Sequence, residues 1–297
     1  MKKQIKDILT VSKTALKKWW AKDPFKESAA IAYYAIFSLP GLLVVIITVA
    51  GYFFGQDAVK GQIVSQFTST MGADTSQQIQ DIITKATESK NSFLATFIGV
   101  LTILVGATGV FAQFQSSINT IWEVKADVTK SGILSLLKAR LFSFGLIVAI
   151  AFILIVSLVI SAMLSALGTW VTNYFSESLL IILQVINSVL SLSILTILFA
   201  IMFKFFPDAK IKWHHVWIGS LVTAILFETG KTALGLYFGK ADPGSGYGAA
   251  GSIILIMLWV SYSSMIVFYG AEFTHAYANF KDGKIAPDKN AQSQIKF

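Results

Sequence analysis

The chain has 297 residues, of which 55% are hydrophobic and only 13% charged, and its mean hydropathy is +0.67. A soluble domain carries about 25% charged residues, so this composition excludes an ordinary water-soluble fold. The net charge of +8 admits either a nucleic-acid surface or a membrane topology signal, and the absence of cysteine excludes a disulfide framework or a thiolate metal site.

Residues 1–22 interleave Ile5, Ile8, Leu9, Leu16, Trp19 and Trp20, at near-helical spacing, with Lys2, Lys3, Lys6, Lys13, Lys17 and Lys18. That pattern predicts an amphipathic basic helix lying in the headgroup plane. No cleavable signal peptide is expected, because the first long apolar run begins only at Ala29 and contains Pro40. Asp23-Pro24 reads as an N-cap followed by proline at the first helical position. The first span is expected at about 29–54, kinked or broken at Pro40-Gly41.

Residues 55–90 are too polar to span. Val59, Ile63, Phe67 and Met71, then Ile79, Ile82, Ile83 and Ala86, repeat at helical spacing. They predict a short extracytoplasmic hairpin of two amphipathic helices. Further spans are expected at about 92–114, 141–167, 179–203, 216–238 and 252–272, each requiring roughly 20 predominantly apolar residues. The sequence therefore predicts an all-α bundle of six transmembrane helices over residues 23–280. A polar cytoplasmic tail, 281–297, is expected without further structure.

With the N-terminus inside, the four cytoplasmic segments of this scheme hold 19 of the 24 lysines and arginines, and the three outer segments hold 4. The positive-inside rule accounts for such a split, so the net charge requires no nucleic-acid partner. The expected location is a bacterial cytoplasmic membrane with both termini cytoplasmic, and the expected partners are membrane lipids.

Candidate functional residues are the polar groups inside otherwise apolar spans, since each intramembrane charge costs at least ~2.5 kcal/mol. Glu228 and Lys231 stand three residues apart on one helical face, as a structural ion pair or as a site for a headgroup or ion. Glu272 closes the last span, at the interface or facing a cavity. Gln184 and Asn187 head a polar stripe continued by Ser188 and Ser191, while Gln113 and Asn119 belong to a polar stretch at the end of the second span. Such stripes make interhelical hydrogen bonds or line a polar path. No GxxxxGK[ST], HExxH or GxSxG motif occurs, so no catalytic residue, cofactor or metal is expected. His214 and His215 are adjacent, which on a helix sets them about 100° apart, and His275 is isolated in sequence.

The ordered set Ala29–Tyr34 with Ser38-Leu39-Pro40, Gly106–Trp122, Phe227–Lys231 with Leu236-Tyr237, Tyr247–Ser252, Leu258-Trp259 and Gly270-Ala271-Glu272 resembles the YihY/virulence factor BrkB family of bacterial inner-membrane proteins. The resemblance covers about residues 20–280. It implies a role in the transport or flipping of a lipid or amphiphile, and it carries over Glu228, Lys231 and Glu272 as candidates. The family's historical ribonuclease BN label implies a nuclease, for which these residues provide no acidic or histidine metal cluster. A non-transporting scaffold for a partner complex is the alternative from another class. Without an ATP-binding motif, any driving force is an ion gradient, a partner or the lipid gradient itself.

Overall fold

The computed structural model describes residues 2–71, 73–88, 109–126, 177–241, 243–288 and 291–294. The expected span at 141–167, and that at 92–114 up to residue 108, lie outside the described residues.

Helix α1 (Lys2–Ala21) leads through a two-residue turn into α2 (Pro24–Phe54). Pro24 occupies the first turn of α2, but Asp23 makes no side-chain cap and instead adopts a left-handed conformation at φ 52°. The turn is thus shaped by backbone, with the Lys22 and Asp23 amides donating to the carbonyls of Trp19 and Trp20. The break expected at Pro40 does not occur: α2 is one helix of 31 residues with Pro40 inside it. An interior proline costs about 3 kcal/mol through its missing N–H and its ring. Burial of Leu43, Ile47 and Ala50 in the turns that follow offsets this cost.

The 16-residue helices α3 (Gln56–Met71) and α4 (Ala73–Glu88) pack on each other and on α2. Val59, Ile63, Ile79 and Ile83 are buried with Leu43, Ile47, Phe238, Leu255 and Ile256, so the helical periodicity of both segments points into the bundle. The described part of α5 covers residues 109–121 and is followed by strand β1 (Val124–Ala126). Then come α6 (Glu177–Phe205), α7 (Trp213–Ala241), a 3-10 turn at Ser245–Ala250, and α8 (Gly251–Asp282).

Helix α8 is the hub, packing against α1, α2, α4 and α7, while α6 packs on α7. The main core joins Phe111, Phe114, Ile118 and Trp122 to Phe199, Phe203, Phe206, Val216 and Phe268. The α7–α8 seam is closed by a reciprocal pairing. Gly219 lies against Thr274 and Gly270 against Thr223, and each threonine hydroxyl donates to the carbonyl of the glycine four residues before it, at 2.7 Å. Small residues at such seams let backbones approach closely.

Helix α1 does not lie free on a surface. Val11 and Ala15 are buried against Phe273 and Ala276 of α8, Ser12 shares a hydrogen bond with the Tyr269 hydroxyl, and the Trp19 indole donates to the Met265 carbonyl. Ile8, Leu9, Leu16 and Trp20 stay exposed.

The tail departs from expectation. Helix α8 runs ten residues past the predicted end of the last span, and strand β2 (Ala291–Ser293) returns to pair antiparallel with β1, Lys125 opposite Gln292. The Lys210 amide donates to the Ala286 carbonyl and the Asp288 amide to the Asp208 carbonyl. Among the described residues the fold is mostly helical, as expected, with one small two-stranded sheet that the sequence did not announce. Strands of three residues carry too little hydrophobic pattern to be read from sequence.

By length and apolarity, three of the described helices are able to cross a membrane: α2, residues 184–205 of α6, and α8. Helix α7 has 29 residues, long enough to cross at 1.5 Å per residue, but Glu228 and Lys231 lower its apolarity.

Candidate functional site

Polar groups gather in several places among the described residues. The first lies where α1, α2, α5 and α8 meet. Glu272 of α8 is fully buried, and its Oε1 is bound by Lys22 Nζ at 2.5 Å. Lys22 also donates to the Ile121 carbonyl. Lys18, one turn earlier, pairs with Glu123 at 3.0 Å. Burial opposes the charge on Glu123, but the hydrogen bond and charge of Lys18, with the charge of Lys22 and that of His275 when protonated, outweigh it and hold this carboxyl below its ordinary range. Glu27 of α2 accepts hydrogen bonds from Gln113 at 3.0 Å and from Ser117 at 2.5 Å. Trp19, Lys22, Glu27, Ser117, Phe268 and Glu272 border a small cavity of about 20 Å³, room for a single water.

Three groups on α8 continue this cluster. Glu272, His275 and Asn279 fall at i, i+3 and i+7, so they share one helical face. His275 Nδ1 lies 3.8 Å from Glu272 Oε2, and Asn279 Nδ2 lies 2.8 Å from His275 Nε2. The Trp122 ring packs on the imidazole, centroids 5.0 Å apart. Glu272 Oε2, His275 Nδ1, Asn279 Oδ1 and Trp122 Nε1 are all buried without a hydrogen-bond partner among the described residues.

The second place is the middle of α7. Lys231 Nζ meets Glu228 Oε1 at 2.6 Å, and the two side chains remain 32% and 43% exposed, respectively. Glu228 Oε2 is buried and has no hydrogen-bond partner among the described residues. Asn187 stands eighteen residues before the end of α6 and Lys231 eighteen after the start of α7, so equal helical rise sets them at about the same depth. Asn187 Oδ1 is likewise buried without a partner among the described residues, whereas Gln184 is exposed. A further cavity of about 440 Å³ between α3 and α4 is lined by Asp57, Lys60, Gln80 and Thr84. Neither this cavity nor the smaller one borders Glu228.

Asn119 is engaged elsewhere. Its Nδ2 donates to Asp208 Oδ2 at 2.7 Å and its Oδ1 accepts from the Asp208 amide at 2.9 Å, clamping α5 to the α6–α7 loop. Burial pushes the Asp208 carboxyl above its ordinary value despite the Asn119 bond, and the charge of Asp288 adds to the rise. A raised carboxyl favours the fold when protonated, and that contribution is lost as the pH rises through the folded-state value. Asp208→Asn should therefore melt above wild type at neutral pH, the gap closing as the pH falls through the carboxylate range; thermal melts across that range read both.

His214 and His215 come closer than their helical offset suggests, ring centroids 3.7 Å apart. With Asp282 they place three ligand atoms within 4.8 Å of one another. Lys212 Nζ at 2.7 Å and His215 Nε2 at 2.9 Å already share Asp282 Oδ2, so the group stands as an ion-paired clip between the start of α7 and the end of α8.

Of the residues singled out in sequence, the structure brings Gln113 and Glu272 to the borders of one polar cluster and sets Asn187 level with the Glu228–Lys231 pair. Sequence reasoning missed Lys22, Glu27, Glu123, His275 and Asn279. The spacing of Glu272, His275 and Asn279 was a usable signal, hidden by ending the last span at Glu272.

Long apolar helices with ion pairs placed inside or at the ends of them define a helical membrane protein. A sequence model of the family described as virulence factor BrkB matches residues 15–295, and the chain belongs to that family. Similar proteins include a UPF0761 membrane protein of Alteromonas mediterranea, 25% identical over 87% of this chain and 85% of its own. Another, of Pseudoalteromonas atlantica, is 24% identical over 84% and 80%. A third, of Azotobacter vinelandii, is 26% identical over 92% and 64%. No solved structure matches.

Proposed function

We propose that the protein is a transporter or flippase of a lipid or amphiphile in a bacterial cytoplasmic membrane. It has six spans, both termini in the cytoplasm and the α3–α4 hairpin outside, and it is not itself driven by ATP. The observation that carries this reading is the Glu228–Lys231 pair: two opposite charges neutralise each other at 2.6 Å inside a membrane-length helix and yet stay part-exposed. A purely structural pair is expected to be sealed, because partial exposure to lipid is costly. Glu228 Oε2 and Asn187 Oδ1, without partners among the described residues and at about the same depth on adjacent helices, supply the hydrogen-bonding capacity a zwitterionic or anionic headgroup requires. The exposed Leu221, Ile225 and Leu226 on the preceding turns suit its acyl chains.

Scrambling of fluorescent phospholipid in proteoliposomes tests this. Wild type should equilibrate the label between leaflets, and Glu228→Gln and Lys231→Met should each slow it by about tenfold or more. Equal rates in all three would remove the site from α7, and no movement by wild type over a panel of native lipids would remove the transport reading.

One set of observations favours the scaffold alternative. Gln113, Asn119 and Glu272 are all tied into contacts between elements, as in a static bundle that presents a surface to a partner.

A further inference from the structure

We propose that Glu272, His275 and Asn279 form a proton-binding site, and that the proton taken there is the ion coupled to substrate movement. The coupling half rests on the transport reading above; the proton site itself does not.

Buried polar atoms are almost always hydrogen-bonded, so four unpartnered ones gathered about a single imidazole require an explanation. They comprise a carboxylate oxygen, an amide oxygen, an imidazole nitrogen and an indole N–H. With Asn279 Nδ2 donating to His275 Nε2, the neutral imidazole carries its hydrogen on Nδ1, directed at Glu272 Oε2. A proton delivered from water forms a bond to Nε2, and the Asn279 amide must then turn over to present Oδ1 as the acceptor. Asn279 Oδ1 thereby gains the partner it lacks, and Glu272 Oε2 accepts from Nδ1–H after a shift of under one ångström. In either protonation state both imidazole nitrogens face a group of matching polarity on one face of α8, which is what a site that loads and unloads a proton requires. Asn279 acts as a positioning residue.

The surrounding charge favours loading. Lys18 and Lys22 come from α1 and the turn after it, Glu27 from α2, and Glu123 from the turn after α5. Helix α7 contributes His215, which is held by Asp282. Lys22–Glu272 and Lys18–Glu123 are neutral pairs, whereas Glu27 is bound only by the neutral Gln113 and Ser117 among the described residues. The cluster therefore carries one surplus negative charge, which a proton on His275 cancels. Loading also makes Glu272 share its charge between His275 and Lys22. That loosens the grip of Lys22 on the α1–α2 turn, which covers the small cavity beneath.

The chain has three histidines, so nitrogen-15 histidine NMR of the full-length protein in nanodiscs resolves them, with His275→Asn assigning the signal. The His275 signal should pass from the Nδ1–H tautomer to the doubly protonated form as the pH falls through the histidine range. Glu272→Gln, which keeps the shape of the side chain, should weaken proton binding about tenfold. A His275 that stays in one protonation state over this range, or that titrates identically beside Gln at position 272, overturns the site. In proteoliposomes, an imposed pH gradient should change the rate of lipid movement in wild type and not in His275→Asn. A titrating His275 with gradient-independent movement overturns the coupling and leaves the proton site. Absence of any lipid movement overturns the transport reading and with it the coupling, the NMR titration still deciding the proton site.

Discussion

Gly270→Ala should destabilise the bundle by about 3 kcal/mol, the upper part of the range for overpacking a tight interior. A Cβ there would meet Thr223 Oγ1 at 1.9 Å and Thr223 Cβ at 2.8 Å, and Thr223 cannot swing aside, because it is fully buried and bonded back to Gly219. Gly219→Ala meets the mirror-image obstacle, Thr274 Oγ1 at 1.8 Å. Thr223→Ala in the Gly270→Ala background removes the hydroxyl but not the Cβ, so it should recover part of the loss. Thermal unfolding in detergent of the four members of that cycle measures the coupling. A Gly270→Ala protein that melts with wild type would show that the α7–α8 seam is not packed this closely.

Lys22→Met should cost about 3 kcal/mol, at the low end of what is expected when one partner of a buried ion pair is removed. The low end applies because the Lys22 side chain is 23% exposed, while Glu272, fully buried, would keep a carboxylate with no cation bound to it. Glu272→Gln should cost less, since the orphaned lysine can reach water. Adding Glu272→Gln to Lys22→Met should restore much of the stability, because the uncompensated charge disappears. Equal losses from the two single variants would indicate lost packing rather than a stranded charge. The loss is expected to be accompanied by faster proteolysis at the α1–α2 turn, since Lys22 binds both Glu272 and the Ile121 carbonyl and so fastens that turn to α5 and α8.

These two seams show where the protein spends its specificity. Apolar length places helices in a bilayer but does not choose their neighbours, because lipid is as apolar as leucine. Neighbours are chosen by close backbone contact, as at Gly219 and Gly270, and by buried polar pairs, as at Lys22–Glu272 and Asn119–Asp208. The same polar pairs that fix the bundle leave a few atoms unsatisfied, and those atoms mark where a headgroup or a proton finds a partner.

The sequence by itself determined the membrane-protein class, the helices α1 to α4, α6 and α7, and the isolation of Glu228 and Lys231 in an apolar helix. These follow from local quantities: periodicity, the length of uncharged runs, and three-residue spacing on one helix. The tertiary structure alone decided that α2 continues through Pro40, because the compensating burial comes from other helices. It alone paired β2 with β1, whose Ala291 and Ala126 stand 165 residues apart, since strands of three residues carry no pattern. It also turned Asn119 into a clamp on Asp208 and drew Lys22, Glu123 and His275 around Glu272. Each of those outcomes depends on residues far apart in sequence meeting at one end of the bundle, and charge, hydropathy and spacing along a chain hold no record of such meetings.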